Sequence, residues 1–286
     1  MIKDDLSDFI ETDPEDNGLS AYERAAAEGT ATGDIDPRCI PQRLDGSPPV
    51  GDDIAYPDYP EQDHQNWRFL FNRQMNLLPG RAGEAIFQGV DLLGMTPDRI
   101  PALRELSRNM EAATGWRIAR VPGLLHVKDF FTLLADRLFP STDYIRGTDE
   151  LDYTPAPDCF HDMFGHMPML TNPAFADFYQ LFGQVALNAP GADGTRLETL
   201  HWFTVEFGLI RQAEGTRLFG AGILSSKDEV VHALSNEVTI HPFDPARVVE
   251  QSYDVWHLQP VLFALESFEQ LVEGFQSWTR SRGLLN

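Results

Sequence analysis

The chain has 286 residues, 42% hydrophobic and 11% aromatic, which can bury a substantial core and excludes a disordered protein. A net charge of −22 argues against binding nucleic acid or an anionic membrane surface. Two cysteines, Cys39 and Cys159, can form neither a disulfide framework nor a thiolate metal cluster.

The N-terminal "MIKDDLSDFIETDPEDN" lacks the basic and apolar pattern of a signal peptide. No later apolar run reaches the roughly 18 residues of a membrane span, so a cytoplasmic protein is expected. Residues 1–64 hold 17 acidic and 4 basic side chains, a net −13, and 7 of the 20 prolines. The run "PRCIPQRLDGSPPVGDDIAYPDYPEQD" has neither helical nor strand periodicity, so 1–64 is expected to be a flexible or loosely draped arm and 65–286 the folded domain.

From "NWRFLFNRQMNLL" onward apolar residues recur at three- and four-residue steps (Trp67, Leu70, Phe71, Met75, Leu78), which predicts a helix. "RAGEAIFQGVDLLG" predicts a second, and "PDRIPALRELSRNMEAAT", with Pro97 near its start, a third. "KDFFTLLADRLF" and "PAFADFYQLFGQVAL" follow, then "TLHWFTVEFGLIRQAEG" as a buried helix ending near Gly215 and "QPVLFALESFEQLVEGFQSW" as a long late one. Strand-like pieces are short: "WRIARV", "RLFGAG", "EVTIHP" and "SYDVW". The prediction is a mostly α single domain with short β ribbons.

The stretch "TPAPDCFHDMFGHMPML" carries two histidines, His161 and His166, five positions apart. On a regular helix that spacing puts them roughly 140° apart, so they reach one ion only where the helix ends or distorts, as Gly165 and Pro168 permit. It is not the i, i+4 spacing of a zinc-protease helix. Glu206 is the only carboxylate in the apolar run from Phe203 to Ile210, where an ionised side chain is costly unless paired with a cation. Two imidazoles and one carboxylate match the facial site of non-haem Fe(II) oxygenases, which leaves coordination positions open. Structural imidazoles and a helix glutamate facing Arg211 remain open readings of the same residues.

In order along the chain, "VPGLL", "DYIRG", "TPAPDCFHDMFGHMP", "HWFTVEFGLI", "FGAGILSS" and "ALESF" resemble the catalytic domain of the tetrahydropterin-dependent aromatic amino acid hydroxylases, from about Trp67 to Trp278. The resemblance implies that domain's fold and an enzyme using Fe(II), O2 and tetrahydrobiopterin or another tetrahydropterin. It implies His161, His166 and Glu206 as iron ligands and Glu229 as a further active-site carboxylate. Arg146 would bind the substrate carboxylate, held by Asp158, with Thr154, Ser225 and Ser226 around the amino acid's polar end. Trp202, Phe207, Pro157 and Val255 would grip the aromatic ring. Gly123, Leu124 and Leu125 would offer backbone groups to the pterin, Phe130 would stack on it, and Asp162 would lie beside it.

Asp162 replaces a glutamate of the animal members and points to the bacterial branch, while Ala156 and His201 replace a glutamate and a tyrosine usual in the family. The resemblance implies conversion of L-phenylalanine to L-tyrosine, with L-tryptophan or meta hydroxylation as alternatives. A zinc hydrolase and a non-catalytic, metal-stabilised binding protein are the readings from other classes. The acidic segment is too short and too polar to supply a regulatory domain, and "SRGLLN" adds no long helix. A monomer without allosteric activation, and without nucleic-acid or membrane partners, is therefore expected.

Overall fold

A computed structural model describes residues 36–255 and 257–285. The first long helix, Glu61–Leu77, follows Pro60 and turns Trp67, Leu70 and Phe71 into the core. Two buried amides on it reach other elements. Asn66 donates to the Arg146 carbonyl at 3.0 Å and Gln74 to the Leu224 carbonyl at 2.6 Å. Helix Glu84–Leu93 ends on left-handed Gly94. The next helix is shorter than its sequence suggests. It runs Leu103–Thr114, because Pro101 disfavours helical geometry at Ile100 and Ala102 is still extended.

Strand β1, Arg117–Arg120, pairs in parallel with β2, Leu138–Ser141, and helix Val127–Ala135 crosses between them. The expected helix over 128–139 thus stops early: Arg137 has φ 55, and the "LF" beyond it belongs to the strand. Helix Pro173–Leu187 is as expected. Its cap Asn172 accepts the Phe175 N–H at 3.2 Å, and Phe175, Phe178, Tyr179 and Phe182 all face inward. Each such buried ring contributes on the order of 1.5–3 kcal/mol relative to exposure. Trp116 stacks on Tyr179 at 5.7 Å, and Phe182 on Phe275 at 5.2 Å.

Two expected helices are corrected. The run 199–215 is helical only to Glu206, after which β3, Leu209–Gln212, and β4, Gly215–Leu218, form a hairpin. Gly208 makes the exit, since a Cβ there would lie 2.1 Å from the Thr204 carbonyl and 2.2 Å from the Phe219 ring. The run 259–278 is strand β6, Val261–Leu265, followed by helix Phe268–Ser281. Strand β6 lies between β3 and β5, Thr239–Pro242, parallel to both, in the order β4-β3-β6-β5. A central strand covered on both faces reads as an unbroken apolar run, as "VLFAL" does. Residues 252–255 form no strand.

The domain boundary expected at 64/65 falls inside helix Glu61–Leu77. Cys39 and Ile54 are buried at 2% and 3% exposure, so 36–64 packs on the body, while the acidic arm over 1–35 lies outside the described residues. Among the described residues no helix is long and apolar enough to cross a membrane.

Candidate active site

Both segments that carry the expected metal ligands are π-helical. His161–His166 forms one, closed by the Met167 N–H on the Asp162 carbonyl, and Trp202–Glu206 the other, closed by the Phe207 N–H on the Trp202 carbonyl at 2.8 Å. A π-turn bonds i to i+5, so it returns the chain to the same face after five residues rather than after three or four. His161 and His166 therefore point the same way, and their Nε2 atoms lie 3.0 Å apart. Glu206 approaches with Oε1 at 3.2 Å from His166 Nε2 and Oε2 at 3.7 Å from His161 Nε2.

These three residues fit a metal. Their donor atoms lie within 4.8 Å of one another. Donors about 2.1 Å from an ion and at right angles stand about 3 Å apart, which is the spacing observed. The tautomer is also set. Ser225 Oγ spends its only proton on the Ala221 carbonyl at 2.9 Å, so it accepts from His161 Nδ1–H at 2.9 Å. That leaves the His161 Nε2 lone pair facing the centre. Burial lowers the His161 pKa to about 4, which keeps the ring neutral. Burial alone would raise the Glu206 pKa, but the two histidines, His166 foremost, outweigh it and the carboxylate stays ionised.

Asp158 ties this centre to Arg146. It is fully buried; Oδ2 accepts Arg146 Nε at 2.8 Å and the Arg146 backbone N–H at 2.9 Å, and Oδ1 accepts Nη2 at 2.8 Å and the His161 backbone N–H at 3.0 Å. One carboxylate thus orients both the guanidinium and the first turn of the ligand helix.

Two cavities, of about 160 and 290 Å³, meet at His161, Trp202, Glu206 and Pro157. The smaller is lined by Gly123, Leu124, Leu125, Phe130, Asp162 and His166, the larger by Arg146, Thr154, Phe207, Ser225, Ser226, Glu229 and Val255. All the expected pterin residues fall in the first. All the expected amino acid residues fall in the second except Asp158, which stands behind Arg146. Ser225 and Ser226 are already engaged, the former on His161 and the latter as the cap that accepts the Glu229 N–H at 3.3 Å. Asp162 accepts the Thr142 N–H at 2.8 Å and its hydroxyl at 3.0 Å, yet burial pushes its carboxyl up to about 7. His201 lines the smaller cavity, hydrogen-bonded to Tyr179 at 2.9 Å and edge-on to Phe130 at 5.8 Å.

The sequence reading missed Tyr253, which stacks on Trp202 at 4.6 Å, and Glu198, Phe139 and Thr142, which line the smaller cavity. Glu198 had a usable signal: it precedes Trp202 by four residues and so shares its helical face. Tyr253 had none, sitting in irregular chain.

The sequence profile of the biopterin-dependent aromatic amino acid hydroxylases matches residues 47–283. The chain belongs to this family. Among its relatives, the phenylalanine-4-hydroxylase of Pseudomonas aeruginosa is 42% identical over 222 residues, covering 78% of this chain and 85% of the relative. That of Ralstonia nicotianae is 45% identical over 217 residues, covering 75% and 69%. The structure of Chromobacterium violaceum phenylalanine hydroxylase with iron(III) and 7,8-dihydrobiopterin superposes with a TM-score of 0.76 at 40% identity, covering 80% of this chain and 86% of that one. Membership makes this hydroxylase a biopterin-dependent enzyme with the mostly helical fold described above.

Proposed function

We propose that this hydroxylase converts L-phenylalanine to L-tyrosine with O2 and a tetrahydropterin, at Fe(II) held by His161, His166 and Glu206. The observation that carries the proposal is the pair of cavities sharing the ligand triad: one has a loop and an aromatic ring suited to a flat heterocycle, the other an arginine and an aromatic wall suited to an amino acid. Bound iron and tetrahydropterin supply the redox chemistry that activates oxygen. The chain's own residues do the rest. Arg146, braced by Asp158, receives the substrate carboxylate and sets its register. Trp202, closed in by Phe207 at 4.5 Å and Tyr253 at 4.6 Å, presses the ring toward the ligand triad and excludes water. The Gly123–Leu125 backbone and Phe130 hold the pterin on the other side, with Asp162 beside it.

The crowding of Trp202 favours a six-membered ring over an indole, with tryptophan turnover or meta hydroxylation as the second reading. A cytoplasmic monomer completes the proposal, tested by fractionation and sedimentation. The deciding experiment is aerobic turnover of L-phenylalanine by the Fe(II)-loaded protein with and without a tetrahydropterin. Tyrosine formed only with pterin, and lost in Glu206→Ala, is the expected result. Absence of pterin oxidation and of hydroxylated product from any aromatic amino acid would overturn the proposal.

A further inference from the structure

Glu229 sits in the wall of the larger cavity, in the first turn of helix Lys227–His232, and is only 6% exposed. The Gln259 backbone N–H donates to its carboxyl group, but Oε2 is buried with no hydrogen-bond partner. A buried carboxylate oxygen left without a donor is costly, and such an atom in a binding cavity marks a place for a donor that arrives with the ligand.

The cations near this cavity are paired with other carboxylates. Arg146 is committed to Asp158, Lys227 lies 2.9 Å from Asp152, Arg73 lies 2.7 Å from the same carboxylate, and His257 lies 2.8 Å from Asp254. The His161 Nδ1–H is used by Ser225. Two of the cavity's hydroxyls are engaged as well, Thr154 on the Ala156 carbonyl at 3.1 Å and Ser225 on the Ala221 carbonyl at 2.9 Å.

We propose that Glu229 receives the α-ammonium group of the amino acid substrate while Arg146 receives its carboxylate. This rests on the larger cavity being the amino acid site. The charges support it. Arg146 and Asp158 already neutralise each other, so a carboxylate brought onto Arg146 adds a negative charge that the ligand's own ammonium balances. That ammonium carries three N–H donors and loses its water on entering an aromatic-walled cavity, so it needs an anionic acceptor there. Glu229 supplies one in the lining of the same cavity as Ser226 and Arg146. The consequence is selection of zwitterionic amino acids over arylalkanoic acids carrying the same ring and carboxylate.

The test is calorimetric binding to the Fe(II)-loaded protein under nitrogen at pH 8, comparing L-phenylalanine with 3-phenylpropanoate, which lacks only the ammonium group. In Glu229→Gln, phenylalanine should bind roughly 10- to 100-fold more weakly, the loss expected for one charge-assisted hydrogen bond. Binding of 3-phenylpropanoate should be unchanged or tighter, which also shows that the variant is folded. Glu229→Asp, which keeps the charge on a shorter arm, should fall between. Unchanged phenylalanine affinity in Glu229→Gln, or equal weakening of both ligands, would overturn the role of Glu229 alone. Absence of phenylalanine binding to the wild-type protein would overturn the amino acid reading of the cavity and this inference with it.

Discussion

At the scale of single residues, the centre is built from side chains whose partners decide their state. Ser225 gives His161 its tautomer, and Asp158 gives Arg146 its orientation. Glu229 shows the cost of such building. Burial pushes its carboxyl up from the ordinary 4.5 to about 7, helped by nearby Asp228 and opposed only by the Gln259 N–H. Between those two values the folded chain holds a proton that the unfolded chain has released, so stability falls as pH rises through this window. Below about pH 4.5 the group contributes nothing, because both states are protonated. Above pH 7 the penalty is complete, on the order of 3 kcal/mol. Glu229→Gln should therefore be more stable than wild type at pH 8 and indistinguishable at pH 4.5, as measured by urea unfolding of the ligand-free protein. An equal stability difference at both pH values would mean that the carboxyl is not a buried, destabilised acid.

At the scale of elements, the site depends on two π-helical segments packed beside helix Ala221–Ser225. Gly165 lets the first of them approach. A Cβ there would lie 2.8 Å from the Ala221 carbonyl oxygen, the same oxygen that takes the Ser225 proton. Gly165→Ala should push that helix outward, move Ser225 off His161, and cost roughly 1–3 kcal/mol of stability. Fe(II) affinity, read by competition with a chelating dye, should drop at least tenfold; wild-type affinity would show that this packing does not hold His161 in place. The three candidate ligands were legible because histidines and a lone glutamate in apolar sequence are rare enough to notice. The turn that unites them was only half legible: five-residue spacing called for a distorted helix, without saying that the distortion is a widened turn repeated on the partner segment. Amphipathic helices such as Pro173–Leu187 declared themselves by their apolar period. "VLFAL" did not, since a short run buried on both faces has no period to read, and neither did "GLIRQ", whose strand is two buried residues followed by two exposed ones; pairing with neighbouring strands decides for strand in both.

At the scale of the whole molecule, residues 36–50 bond to loops that line both cavities. Irregular and rich in proline, this segment offers no periodicity, and it is held instead by specific polar contacts that sequence pattern does not show. Arg38 pairs with Asp36 and with Glu150, and Cys39 Sγ donates to the Pro155 carbonyl at 3.0 Å, bracing the loop that carries Thr154. A few residues on, the Gln42 N–H donates to the Leu124 carbonyl at 2.9 Å, the His126 N–H returns to the Gln42 carbonyl at 2.9 Å, and the Leu44 N–H reaches Asp129 at 3.0 Å, bracing the Gly123–Leu125 loop. One strap thus supports the larger cavity with its first residues and the smaller cavity with its later ones. The two effects should separate. Arg38→Ala removes a pair that is a third exposed and so screened by solvent, and should raise KM for phenylalanine only about two- to fivefold while leaving KM for the pterin unchanged. Gln42→Pro deletes the N–H bonded to Leu124 and should raise KM for the pterin more than KM for phenylalanine. Steady-state kinetics with each substrate varied in turn measures both. If either variant raised the two constants together, the strap would act as one rigid unit, and the independence of its two ends would be refuted.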